Sequence, residues 1–316
     1  MYCLPAKKGI FYCIKPFTIV SYGWRILPVD ELSLAELNEG LKTAVLGRHA
    51  VVLDTVDSTN NEVRRLLEAG GPEGLAVIAC EQTGGRGRRG RRWVSAKGCG
   101  LWMTFAFRSF LPQEAMQRAT LAAGVAVCAA LETETEDAVK PLIKWPNDVL
   151  VNGKKLCGIL SEAVPSPQPL PHLVGGESLI DVTSVVLPSP HPPLTKGDVA
   201  AATGGISSNI IVGIGVNTKM PPNGWGDAKG VAVSLEETAG MAIPRMRLAA
   251  AILNGMEELL NAMRARGFAP VAADYRMRML PAGTEVMLAD GLERRRGRIE
   301  GLDDEGGLLV RLDTGE

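Results

Sequence analysis

Between Gly84 and Trp93 the chain places five arginines and four glycines in ten residues, and from Gln82 to Gln113 there are seven basic residues and no acid. Glycines let backbone N–H groups close on an anion, and guanidinium forks bind phosphate oxygens, so this loop suits a triphosphate or a mixed anhydride. It lacks the Walker A lysine pattern and a GxGxxG turn placed after a strand, which argues against a P-loop NTPase or a Rossmann cofactor site. Taken alone, the segment also reads as a basic loop on nucleic-acid backbone, because Arg-Gly runs bind polyanions generically.

A second polar cluster is Lys144-Trp-Pro-Asn-Asp148. Lys, Asn and Asp among apolar residues are costly to bury without partners, so a polar site explains them, with a sheet-edge turn as the plainer alternative. Asn152-Gly153, which follows, is the signature of a two-residue type I′ hairpin. An unbroken register pairs Val151 with Lys154, Leu150 with Lys155 and Asp148 with Cys157, setting Asp148, Leu150, Lys155 and Cys157 on one face of the ribbon. Asp57-Ser58-Thr59-Asn60 has the composition of a helix N-cap, a role compatible with ligand binding. Gly213-Ile-Gly-Val-Asn217 ends an apolar strand with a single amide, as a turn or as a ligand contact.

Periodicity indicates the elements that must hold these groups. Strands are expected at 50–53, 75–80, 101–107 and 209–216, with an extended piece at 141–145. Helices are expected from Asp57 towards Glu68, over 113–131 and over 244–266, the last closed by Gly267. A short amphipathic helix over 30–46 follows a strand or wing at 21–27. From Pro165 to Pro193 there are eight prolines in 29 residues, which reads as a solvated insertion reaching Ser208. Replacing it by a short linker is expected to leave the chemistry intact. Beyond Gly283, short apolar runs separated by Gly and Asp read as a small β-barrel or meander.

Composition excludes several classes. The chain has 316 residues, 46% of them hydrophobic, enough for a sizeable core and two domains. Its formal net charge of -1 provides no global attraction to nucleic acid or anionic membrane. Six scattered cysteines without CxxC spacing read as free thiols in a reducing compartment, and three histidines assemble neither a zinc cluster nor a His-based triad. Lys15 and Pro16 interrupt the N-terminal apolar run and no stretch has transmembrane length, so a cytoplasmic protein without a membrane partner is expected.

In combination and order, Asp57–Asn60, the Gly85–Trp93 loop, Lys144–Asp148, Lys154–Leu160 and Gly213–Asn217 resemble the motifs of biotin protein ligases over roughly residues 44–312. The resemblance implies an α/β fold of the α+β type: a mixed sheet flanked by helices, followed by a small C-terminal SH3-like barrel. It divides the chain into an N-terminal appendage (1–43), a catalytic domain (44–268) with the Pro-rich insertion (164–208), and the SH3-like unit (269–316). The implied activity joins biotin to AMP at the expense of MgATP, then transfers biotin to a lysine of a biotin carboxyl carrier domain of a carboxylase. Matched residue by residue, Ser58, Thr59, Asn60, Gln82, Arg86, Gly87, Arg88 and Lys155 fall on the biotin side. Arg88, Arg91, Trp93, Asn147, Asp148 and Asn217 fall on the nucleotide side. Lys155, Arg88 and Asp148 are the implied catalytic group, with Asp148 the candidate Mg2+ ligand, directly or through water.

The chain departs from the family pattern in its long insertion, in Cys157 where a small residue is common, and in a barrel that stops soon after Leu312. Residues 21–27 resemble the tail of a winged helix without its preceding helices, so specific DNA binding is not expected; a homodimer is compatible with the resemblance. The competing readings are a biotin-responsive repressor, a non-catalytic polyanion binder, and a lipoate ligase, which shares the implied fold but usually lacks the Gly-Arg-Gly and Lys-Trp-Pro-Asn-Asp pair.

Overall fold

Alternation along the apolar strands sets the architecture. In β7 (Ser208–Asn217) the side chains of Ile210, Val212, Ile214 and Val216 enter one core while Ile211 enters another, and β3 (Gly100–Arg108) and β6 (Lys154–Pro165) are divided in the same way. Strands that are apolar on both sides need a layer on each face. The computed structural model, which describes residues 32–111, 116–165, 208–290 and 293–313, supplies both.

The three strands form the middle of a seven-stranded mixed sheet in the order β1 (Ala50–Val56), β2 (Ala76–Gln82), β3, β7, β6, β5 (Asp148–Val151), β4 (Leu142–Lys144). β1 and β2 run parallel, and the other neighbours are antiparallel. On one face lie α3 (Gln117–Glu134), α5 (Arg245–Arg266) and α6 (Ala269–Arg278), burying Leu121, Leu131, Leu253 and Tyr275 against Met103, Phe105 and Ile143. Each such side chain contributes about 1.5–3 kcal/mol when fully buried. The opposite face carries α2 (Thr59–Glu68), whose Val63 and Leu67 pack on Val77, Ala106 and Ile211. Ten residues of helix reach only about 15 Å, so α2 covers part of this face and leaves the rest open.

Two expected boundaries move. The helix expected over 30–46 is α1 (Leu34–Gly40), capped by Ser33, and it is no appendage: Leu37 is fully buried and joins the main core. The following turn is tied to α5, since Glu257 Oε2 accepts from the backbone N–H of Val45 and Leu46 at 2.9 and 2.7 Å. Residues 269–278, grouped by sequence with the C-terminal β unit, are helix α6, whose proline sits in the first turn. The 21–27 strand or wing lies outside the described residues.

The C-terminal unit is a three-stranded antiparallel sheet, β10 (Leu308–Leu312), β9 (Glu293–Leu302), β8 (Glu285–Asp290). Ile299 and Leu302 of β9 enter the main core, and Trp145 Nε1 donates to the Gly306 carbonyl at 3.0 Å, so this sheet is packed on the larger unit. The short helix α4 (Leu235–Ala239) starts from a capping box of Ser234 and Glu237. Pro165 and Ser208 are register partners in the β6–β7 ladder, so the insertion leaves and returns at one point; residues 166–207 themselves lie outside the described set. Among the described residues, no helix is long and apolar enough to cross a membrane.

Candidate active site

The open part of the α2 face is a cleft that communicates with solvent. Gly158 and Leu160 of β6 and Gly213 and Gly215 of β7 line its floor, with α2's first residues at one end and the arginine loop over it. Glycine inside a strand marks a close approach. A Cβ on Gly213 would stand 2.0 Å from Asn60 Oδ1, and one on Gly215 would stand 2.6 Å from Trp93 Nε1.

Ser58 holds the N-cap position of α2 without a side-chain cap bond, which leaves its hydroxyl at the cleft. The next two residues are fixed from the sheet. Gln82 Oε1 accepts from Thr59 N–H at 2.8 Å and from its hydroxyl at 3.1 Å, while Gln82 Nε2 donates to Ser95 Oγ at 2.8 Å. Thr104 Oγ1 lies 2.8 Å from Thr59 Oγ1 and donates to Asn60 Oδ1 at 2.7 Å. Asn60 Nδ2 donates to Glu162 Oε2 at 2.9 Å. Just outside, the Arg65 guanidinium beside Asp57 holds that carboxyl down to about 2, stabilising the turn into α2.

The arginine loop folds inward rather than standing free. Arg86 Nη2 meets Glu162 Oε2 at 2.5 Å, and Arg64 approaches the other oxygen at 3.6 Å. Gly87 N–H donates to the Arg91 carbonyl at 2.7 Å, which narrows the loop. Arg88 Nη1 donates to Asn147 Oδ1 at 2.9 Å, while Asn147 Nδ2 donates to the Ile159 carbonyl at 3.1 Å. Arg88 is therefore positioned by a neutral oxygen and keeps its charge for an anion. Trp93 lies across Gly158 and Gly215, its Nε1 buried without an acceptor among the described residues and its ring 5.1 Å from Lys155 Nζ.

Lys155 comes from the hairpin, and here the expected register is corrected. Asn152 (φ 52°) and Gly153 (φ 74°) make the left-handed turn, and Val151–Lys154 and Leu150–Lys155 pair as expected. A bulge then admits Leu156 as an extra residue, so Val149 pairs with Cys157 and Asp148 with Gly158. Cys157 therefore turns into the core, where burial pushes its thiol up and makes it a poor nucleophile. Asp148 stays on the side of Lys155, its Oδ1 accepting from Nζ at 2.6 Å.

Of the residues singled out from sequence, Ser58, Thr59, Asn60, Gln82, Arg86, Gly87, Arg88, Trp93, Asn147 and Lys155 line this one cleft. Asp148 is one hydrogen bond behind Lys155. Arg91 is exposed and engages the loop through its backbone. Asn217 is buried at the end of β7, donating to the Val233 carbonyl at 3.2 Å; the Val231–Val233 segment it holds also bonds the Lys155 backbone on both sides.

A sequence model of the biotin/lipoate A/B protein ligase family matches residues 52–175. The bifunctional ligase/repressor BirA of Bacillus subtilis is 32% identical over 295 residues, spanning 93% of this chain and 79% of that protein. The chain belongs to the biotin protein ligase family. A biotin--[acetyl-CoA-carboxylase] ligase of Paracoccus denitrificans is 29% identical over 267 residues, 84% of this chain and 95% of that one. Among solved structures, the biotin protein ligase of Aquifex aeolicus in complex with biotin and ATP superposes with a TM-score of 0.61 at 28% identity, covering 85% of this chain and 94% of that chain.

Reasoning from the sequence passed over Thr104, Ser95 and Glu162, which orient Thr59, Asn60, Gln82 and Arg86 in this ligase cleft. No local signal marks Thr104 or Ser95. Glu162 had one: it is an acid in the β6 strand, whose burial demands partners.

Proposed function

We propose that this cleft binds biotin and ATP, joins them as biotinyl-5′-AMP and transfers biotin to a lysine of a carboxylase's biotin carboxyl carrier domain. The observation that carries the reading is the approach of Arg88 and Lys155 to one glycine-floored cleft, each locked by a side-chain partner, Asn147 and Asp148 respectively. A carboxylate attacking an α-phosphate brings two anions together, and fixed cations at their meeting point lower that barrier. The carboxylate oxygen forms a bond to phosphorus, the bridging P–O bond breaks, and pyrophosphate departs. In the second step the acceptor amine attacks the anhydride carbonyl, the bond to AMP breaks, and the amine proton passes to solvent. No enzyme nucleophile takes part, in keeping with the buried Cys157 thiol.

Ser58, Thr59, Asn60, Gln82, Arg86 and Gly87 form the biotin side in this assignment, where hydroxyl and amide groups at a helix N-terminus suit a polar ring and its carbonyl. Arg91, Trp93, Asn147, Asp148 and Asn217 form the nucleotide side, the Trp93 N–H, which has no acceptor among the described residues, being a donor left for a ligand oxygen. Asp148 is the carboxylate that would help hold a magnesium ion accompanying the triphosphate, and the ion would offset phosphate charge as pyrophosphate leaves. The C-terminal sheet is assigned as the SH3-like unit, and Cys80, Cys99, Cys128 and Cys157, none of them in a disulfide, fit a cytoplasmic enzyme. Biotin-dependent exchange of labelled pyrophosphate into ATP by the purified protein tests the reading; no exchange above the biotin-free control overturns it.

A further inference from the structure

Two adjacent residues, Asn147 and Asp148, give the cations of the cleft opposite kinds of partner. Arg86, Arg88 and Lys155 line the cleft. Arg86 meets the Glu162 carboxylate, whereas Arg88 donates to the neutral Asn147 Oδ1 and keeps its full charge. Lys155 donates to Asp148 Oδ1 at 2.6 Å, so its charge is offset by a carboxylate whose side chain is only 24% exposed. The slot that holds this pair is built into the hairpin. Gly158 stands opposite Asp148 in the β5–β6 register and has no side chain to intervene; a Cβ there would lie 3.3 Å from Lys155 Cε, so the lysine stem runs over the glycine. The Trp93 ring closes another side, 5.1 Å from Nζ. The ammonium is thus fixed in place but already engaged, and an incoming anion must compete with Asp148 for it.

We infer that Asp148 masks Lys155 in the resting cleft and gives it up when the nucleotide brings a cation of its own, so that anion binding at Lys155 is coupled to both substrates; the inference rests on the ligase reading of the cleft. The reaction brings a carboxylate and an α-phosphate together, and Arg88 alone cannot neutralise both. Releasing Lys155 supplies the second charge. A half-buried carboxylate gives up its partner cheaply only if another cation replaces it, because an unpaired charge there is costly. Two replacements are within reach. One is the divalent cation that accompanies a triphosphate. The other is Lys144, the cross-strand partner of Asp148 on β4, which is exposed and pairs with no carboxylate among the described side chains. Whatever draws Asp148 away strengthens the hold of Lys155 on biotin's carboxylate, and the coupling is reciprocal.

The test compares the full chain with its Asp148→Asn variant, which keeps an oxygen for Lys155 and removes the charge. Calorimetric titration with biotin, first without nucleotide or divalent cation, should show the variant binding about three- to ten-fold more tightly, as fits the loss of one competing charge at a partly exposed pair. A mere structural prop would give the opposite sign, since its removal loosens Lys155. With magnesium and an ATP analogue whose α,β-bridging oxygen is replaced by methylene, the wild type should gain affinity for biotin by a similar factor, while the variant, already unmasked, should gain less. Unchanged or weaker biotin binding by Asp148→Asn overturns the inference, as does an equal gain from the analogue in both proteins. Should Asp148→Asn fail to fold, the wild type still decides, because no gain from the analogue there overturns the inference by itself. Failure of the wild type to bind biotin at all would remove the ligase reading first, whereas tight binding without the effect of Asp148 would leave that reading standing and remove only this inference.

Discussion

Two arginine-rich segments of similar composition, residues 86–92 and 294–298, come to opposite ends in this molecule. In the first, Arg86 and Arg88 turn inward onto Glu162 and Asn147 and the following Trp93 lies on the glycine floor. In the second, Arg294, Arg295, Arg296 and Arg298 all stand exposed on the strand, and Arg298 pairs with the equally exposed Glu285. Charge composition is the same signal in both. What differs is whether the backbone presents the guanidinium to a partly buried partner, where the contact is strong and directional, or to water, where screening leaves little of it.

The contrast is tested most severely at Lys155, which completes the inward cluster. Lys155→Ala should lower biotin-dependent pyrophosphate exchange on the order of a hundred-fold or more, because it removes charge needed while the two anions meet. Normal adenylate formation by this variant would end its assigned role. Arg88→Gly should act on the product of that step instead. Loss of a charge-assisted contact of about 1.5–3 kcal/mol corresponds to roughly ten- to a hundred-fold weaker retention of the adenylate. Incubation with biotin, MgATP and albumin should then show free adenylate and biotin on the bystander; retention equal to wild type would refute the assignment.

A smaller effect is expected at Glu162, which positions Arg86 and Asn60 without lying on the reacting atoms. Glu162→Gln keeps the shape and removes the charge, so the KM for biotin should rise about three- to ten-fold with kcat nearly constant. A fall in kcat at constant KM would show that Glu162 acts otherwise. The insertion leaves β6 three residues beyond this carboxylate, from a ladder already closed by the Pro165–Ser208 pair. Replacing 166–207 with a short Gly/Ser linker should keep exchange within about three-fold, since loop length alters closure entropy only slowly. Loss of folding or of all activity would show that the segment packs on the cleft. Smallest of all, Arg298→Ala removes an ion pair whose side chains are 57% and 62% exposed, and urea unfolding should register less than about 0.5 kcal/mol. A larger loss would mean that the outer arginines hold the sheet together, and the contrast between the two segments would fail.

Much of the site was legible in the chain because its signals are local. The type I′ turn needs only Asn152-Gly153, the buried strands need only their own alternation, and the Gly84–Trp93 loop carries its anion chemistry in its composition. Three features required the folded molecule. The Leu156 bulge moved Cys157 into the core and Asp148 opposite Gly158, because a single extra residue inverts the faces of everything beyond it. Helix α1 and residues 269–278 joined the larger unit because Leu37 and Tyr275 find their burial against distant helices and strands, which no local pattern specifies. The Arg86–Glu162 and Asn60–Thr104 contacts join residues 76 and 44 positions apart, brought together only by the β3-β7-β6 strand order. Residue type set what chemistry was available; which groups meet, and which arginines face water, depended on long-range pairing whose free energy belongs to the assembled sheet rather than to any segment of it.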